Sequence, residues 1–121
     1  METGPRSLEK LEIWNEALAF SEKAYALSEN WPDSERFGLT AQLRRATVSI
    51  AANLAEGLGR GRAGEVSRFA RIALGSAYEA YTLLRLAERL GFPGAYAEIM
   101  PELDLLTKRL FAYVRHWEQR P

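Results

Sequence analysis

The 121 residues contain no cysteine, which excludes disulfides, thiolate metal sites and a cysteine nucleophile. Histidine is almost as scarce. His116 is the sole example, with Tyr113 three positions before it and Gln119 three after, so the Glu-x-x-His pairs of carboxylate-bridged di-iron bundles are missing. A serine triad would rest on that same terminal histidine, and Ser49, Ser67 and Ser76 stand outside any G-x-S-x-G elbow. No G-x-x-x-x-G-K-[ST] loop supports ATP or GTP hydrolysis. These gaps point to a protein that is not an enzyme and needs no cofactor or metal. Long apolar runs are missing too: nothing approaches the roughly 20 residues of a membrane span, and Met1 to Lys10 has no apolar signal core. No membrane partner is expected, and cytoplasmic location follows by default.

Net charge is also lacking, with 16 basic residues against 16 acidic ones. That balance argues against a wholly basic, histone-like chain and leaves room only for a local basic patch. At 47% hydrophobic and 26% charged, the composition is globular and supports one core of ordinary size. The expected organisation is a flexible stretch over 1–7 and a single bundle domain over 8–119.

Every long periodic segment has helical period, and none alternates every second residue as a half-buried strand does. The first, about 8–30, stacks Leu11, Trp14, Leu18, Tyr25 and Ser28 on one face and ends at Asn30-Trp31-Pro32. The second, about 34–58, has Asp33 or Ser34 as N-cap and Phe37, Leu43, Ala46, Ile50 and Leu54 as its seam. The third, about 64–90, carries Phe69, Ile72, Ala73, Ser76, Ala80, Leu83, Ala87 and Leu90, with Gly91 as its stop. The fourth, about 94–118, places Ile99, Leu103, Leu106, Leu110, Tyr113 and Trp117 in an a/d heptad pattern. Pro101 either kinks this helix or marks its true start. Four amphipathic segments with short connections predict an all-α, up-down-up-down antiparallel four-helix bundle. Ile13, Phe20, Leu39, Val48, Tyr78, Tyr81 and Phe111 fall off these seams, which is explained either by a subunit interface or by ordinary scattered surface residues.

The segment Gln42 to Ser76 holds six arginines, Arg44, Arg45, Arg60, Arg62, Arg68 and Arg71, against Glu56 and Glu65, a net charge of about +4. Glycines at 57, 59, 61 and 64 predict a flexible turn at one end of the bundle. Flanking guanidinium groups and the uncompensated N–H groups of the third helix suit phosphate. RNA or DNA is the natural polymer for such a surface. No aromatic residue lies between Asn53 and Val66, so contact would be led by phosphates with little sequence preference. The alternative is that these arginines pair with acids on neighbouring helices, leaving a module that binds protein only. Gly59 to Gly64 also fits G-x-G-x-x-G, but a helix precedes it where a dinucleotide fingerprint needs a strand. Asn53 and Glu56, on an otherwise apolar helix, must have their polar atoms paired, by capping the glycine turn or with Arg44, Arg45 or an arginine of the third helix.

Several stretches also carry a family likeness. Leu11-Glu-Ile-Trp14, Trp31-Pro-Asp-Ser-Glu35-Arg-Phe-Gly38-Leu, Gln42-Leu-Arg-Arg45-Ala, Ser49-Ile-Ala-Ala-Asn53-Leu-Ala-Glu56-Gly57 and Arg68-Phe-Ala-Arg-Ile-Ala-Leu-Gly75-Ser76-Ala-Tyr-Glu79 resemble the four-helix bundle proteins encoded within intervening sequences of bacterial 23S ribosomal RNA genes. That family includes the accessory variability proteins of diversity-generating retroelements. The likeness runs from about residue 8 to 92, and the fourth helix matches only in pattern. It implies an up-and-down bundle assembled as a homopentamer and marks Asn53, Glu56, Gly57, Ser76 and Glu79 as a structural polar motif. For the retroelement branch it implies a basic surface that binds RNA or DNA and a partner reverse transcriptase.

Overall fold

The structure, a computed structural model, describes residues 4–120. Four long helices, α1 (Glu12–Ser28), α2 (Leu39–Arg60), α3 (Ala63–Arg89) and α4 (Tyr96–Glu118), follow one another, with short 3-10 helices at Pro5–Lys10 and Asp33–Glu35. No strand occurs among the described residues. Of the seven N-terminal residues expected to be flexible, 1–3 lie outside the described residues, and Pro5 to Ser7 belong to the first 3-10 helix.

Local chemistry sets the boundaries. The expected start of the first helix near residue 8 moves to Glu12, because Leu11 is extended and breaks the 3-10 turn from α1. The second helix begins at Leu39 instead of residue 34. Gly38 lies outside the helical region, and Glu35, neither Asp33 nor Ser34, supplies the cap: its Oε1 accepts the Leu39 N–H at 3.0 Å. Phe37, expected in the seam, is therefore in the connection and 86% exposed. α3 ends in a Schellman motif, with Gly91 at φ +80°, its N–H bonded to Glu88 O and the Phe92 N–H bonded to Ala87 O, each at 3.0 Å. Pro101 is the sixth residue of α4, which rules out the reading that it starts the helix. Its missing N–H leaves the Ala97 carbonyl without a helical donor, and both residues are exposed to water.

Each helix contacts its chain neighbours, and α1 closes the ring against α4. Cross-helix pairs show the antiparallel register: Lys23 with Glu102 and Glu16 with Arg109 between α1 and α4, Ser49 with Ser76 between α2 and α3. The core is built from Leu43, Ile50, Leu54, Leu84, Leu103, Leu110 and Val114, all almost fully buried, each side chain contributing roughly 1.5–3 kcal/mol on burial. Fully buried Ala17, Ala24, Ala70, Ala73, Ala77, Ala80 and Ala87 let the helix axes approach closely.

One seam differs from expectation. α1 buries Ile13, Ala17, Phe20 and Ala24, so Ile13 and Phe20 belong to the core, whereas Leu18 is 38% and Tyr25 42% exposed. Ile72 of α3 and Leu90, the residue that follows that helix, are likewise exposed. Val48, Tyr78, Tyr81 and Phe111 do lie outside the core.

Candidate nucleic-acid interface at the turn between α2 and α3

α2 does not stop at Gly57 or Gly59. Both are helical, and the turn shrinks to Gly61 and Arg62. Gly61 has φ +76°, the left-handed conformation that ends a helix without steric penalty. Gly57 serves close packing: a Cβ there would stand 2.9 Å from Phe69 Cβ, 3.2 Å from Val66 Cα and 3.3 Å from Glu65 O. Because α2 and α3 touch at this point, Arg60, Arg62 and Arg68 are displayed around one tight corner.

The ring of Phe69 organises the corner. The guanidinium carbons of Arg60 and Arg68 lie 5.2 and 4.5 Å from its centroid, a cation–π arrangement that holds both charges over one ring. An aromatic residue thus does take part, although it lies beyond the stretch between Asn53 and Val66 and its face is occupied by arginine. Arg60 pairs with Glu56 at 3.0 Å and Arg68 with Glu65 at 2.9 Å. The Arg68 hydrogen bond is the main reason that the Glu65 carboxyl is held below its ordinary pKa. Arg62 has no ion pair among the described residues, and its carbonyl accepts the Glu65 and Val66 N–H groups. No side chain caps α3; the amides of Ala63 and Gly64 lack a protein acceptor among the described residues, at the positive end of a 27-residue helix.

The six arginines do not form one cluster. Arg71 pairs with Glu118 at 2.8 Å, joining α3 to the last turn of α4. Arg44 and Arg45 lie near the other end of α2, roughly 24 Å along the axis from Arg60 at 1.5 Å per residue. Arg44 closes the end of α1: its Nε donates to Ser28 Oγ at 3.0 Å, and its Nη2 donates to Tyr25 O at 3.2 Å and Glu29 Oε2 at 3.3 Å. Its guanidinium also covers the Tyr25 ring at 4.6 Å. This is a C-terminal helix cap. Arg45 is exposed and has no ion pair among the described residues.

The polar motif also divides. Asn53 pairs neither with the glycine turn nor with an arginine. Its Nδ2 donates to Ser49 O and Ser49 Oγ, each at 2.8 Å, and Ser49 Oγ meets Ser76 Oγ at 2.8 Å. The three form a link between α2 and α3 that sequence spacing alone did not disclose, since the register of the two helices was needed to bring Ser49 opposite Ser76. Glu56 serves Arg60, Gly57 serves packing, and Glu79 is exposed without a partner among the described residues. No three His, Cys, Asp or Glu side chains converge as a metal site among the described residues. No helix among them is long and apolar enough to cross a membrane.

The architecture defines an all-α, up-and-down four-helix bundle whose α2–α3 corner is basic and exposed. The sequence profile of the 23S rRNA-intervening sequence protein family matches residues 9–112, and the chain belongs to that family. The match takes in α1 to α3 and α4 as far as Ala112, so the fourth helix is part of the family pattern. Comparison with curated proteins gives no match.

Proposed function

We propose that this protein is a non-enzymatic, homo-oligomeric helical scaffold that contacts RNA or DNA phosphates through Arg60, Arg62 and Arg68, with Arg71 at the margin. A homopentamer is the expected order of assembly. The observation that carries the reading is the α2–α3 corner itself: two guanidinium groups over Phe69, an unpaired Arg62 between them in the chain, and the uncapped start of α3. The pairs with Glu56 and Glu65 do not oppose it. The arginine side chains are about half exposed in both pairs, and such solvent-facing ion pairs are weak on a helix. A phosphate, which accepts bidentate hydrogen bonds from arginine, can replace either carboxylate at little cost. Arg44 drops out of the surface because α1 uses it, and Arg45 because it lies at the far end of α2.

The test is binding of labelled single-stranded and duplex RNA and DNA to the wild type and to the Arg60→Glu/Arg62→Glu variant. Loss of binding with unchanged helicity is expected. Retained affinity in the variant would refute the phosphate reading. A second reading, a module that binds protein and no nucleic acid, draws on the internal use of Arg44 and Arg71; it predicts no retention of the wild type on heparin.

A further inference from the structure

α4 is polarised along its length. Its first half carries Glu98, Glu102 and Asp104 and no base, whereas Lys108, Arg109, Arg115 and Arg120 follow in and just beyond its second half, against Glu118 alone. Two of these bases are used within the chain: Lys108 pairs with Asp104 at 3.3 Å, and Arg109 pairs with Glu16. Arg115 and Arg120 are exposed and have no acid partner among the described residues. Because α4 runs antiparallel to α3, they stand at the same end of the bundle as the basic corner.

A base at the end of a helix ordinarily answers the partial negative charge of the last carbonyls. These two are directed elsewhere. The Arg115 guanidinium turns back along the helix, its carbon 6.0 Å from the Phe111 centroid, and that of Arg120 lies 4.9 Å from the Trp117 centroid. Arg120 Nε meets His116 Nε2 at 3.4 Å, and neither guanidinium donates to a carbonyl among the described residues. A guanidinium laid over a ring keeps its charge, and its N–H groups stay free in its own plane to meet a phosphate. Arg60 and Arg68 are held over Phe69 in the same manner.

Glu118 links the two groups. Its Oε2 accepts from Arg71 Nε at 3.1 Å and from Arg71 Nη2 at 2.8 Å, which fixes the first third of α3 beside the last turn of α4. Arg68 is three residues before Arg71, and Arg115 three before Glu118, so each pair are neighbours on their helix surface. Arg68, Arg71, Glu118 and Arg115 therefore form a row that crosses from one helix to the next. The carboxylate in the middle of this row engages Arg71 and repels an anion laid along it.

We infer that a nucleic-acid backbone meeting the α2–α3 corner continues over Arg71 and Glu118 onto the end of α4, where Arg115 and Arg120 take further phosphates. The inference rests on the phosphate reading of the corner. It adds α4 to the surface and makes Glu118 a residue that weakens the contact.

Titration of labelled single-stranded RNA at several salt concentrations tests it, with far-UV circular dichroism to confirm folding. Arg115→Gln/Arg120→Gln should bind several-fold more weakly, with a logarithmic salt slope shallower by about 1.4, two contacts at about 0.7 each on a single strand. Glu118→Gln, which removes the opposing charge and frees Arg71, should bind several-fold more tightly. Arg36→Gln is the matched control: its guanidinium also lies over an exposed ring, that of Phe37, without an acid partner among the described residues, but in the connection at the opposite end of the bundle. It should match the wild type, and a slope change as large per arginine in Arg36→Gln would reduce the effect to overall charge and overturn the inference. A wild type that binds no RNA overturns both the phosphate reading and this extension. Binding that Arg60→Glu/Arg62→Glu abolishes, but that Arg115→Gln/Arg120→Gln and Glu118→Gln leave unchanged, overturns the extension alone.

Discussion

Replacing Gly57 with alanine offers a sharp test of how the basic corner is held. Glycine inside a helix is ordinarily a liability, and alanine at an open helical site gains roughly 0.5–1 kcal/mol. At Gly57 the added methyl would stand 2.9 Å from Phe69 Cβ, 3.2 Å from Val66 Cα and 3.3 Å from Glu65 O. Two of these three atoms are backbone, so no side-chain rotation relieves the contact and α3 itself must move away. Overpacking of this kind costs about 1–3 kcal/mol. After the helical gain is subtracted, Gly57→Ala should destabilise by about 1–2 kcal/mol. At Gly75, in the interior of α3, an added methyl would have nothing within 4 Å of it, and Gly75→Ala should stabilise by about 0.5–1 kcal/mol. At roughly 3–5 °C per kcal/mol for a chain of this size, the two variants should melt on opposite sides of the wild type. Melting curves must be recorded at one protein concentration, because the proposed assembly would make the midpoint concentration-dependent. A stabilised Gly57→Ala would refute the close approach of α2 and α3 and its role in shaping the corner.

Two further outcomes follow from buried polar groups. Ser76→Ala should cost about 1 kcal/mol by breaking the bond to Ser49, and the Ser49→Ala/Ser76→Ala double variant should cost less than the sum of the single changes; strict additivity in urea melts would show that the hydroxyls do not interact. Tyr113 is raised above the ordinary tyrosine pKa chiefly by burial, and Trp117 lies close enough to offset this slightly without completing a hydrogen bond to the phenol. A raised folded-state pKa means that the unfolded chain ionises first, so the associated stability is present below about pH 10 and is lost as pH rises from there through the folded value. Tyr113→Phe should therefore leave stability at pH 7 unchanged or slightly improved and should flatten the decline above pH 10, as followed by urea melts from pH 7 to 11. An equally steep decline in the variant would point to other groups, such as Tyr96, whose pKa burial also raises.

The bundle and its four helices were legible from period and punctuation, because Pro32, Gly61 and Gly91 stop helices by backbone geometry that needs no tertiary context. The inward stripe of α1 was not. Leu11 and Trp14 do pack against the core and Ser28 is buried, but Leu18 and Tyr25 are bulkier than Ala17 and Ala24, and bulk favours the wrong face when close-packed helices require alanine in the core. Four glycines suggested a long turn, yet Gly57, Gly59 and Gly64 are helical and Gly61 alone takes a left-handed conformation. At the candidate site, the exposed arginines around the turn were evident in the sequence. Their division was not, since Arg44 joins the end of α1 through a carbonyl, a hydroxyl and a carboxylate that lie 15 to 19 positions away. The role of Phe69 was also hidden, because it follows from α3 bringing its first turns against the end of α2.

The most direct test of the phosphate surface is the salt dependence of single-stranded RNA binding by the wild type, Arg62→Gln and, as a distant control near the other end of α3, Arg89→Gln. A phosphate contact made by Arg62 predicts weaker binding by Arg62→Gln and a logarithmic salt slope shallower by about 1, with Arg89→Gln matching the wild type. Equal affinity and equal slope in all three proteins would contradict the assignment of the α2–α3 corner as the nucleic-acid contact.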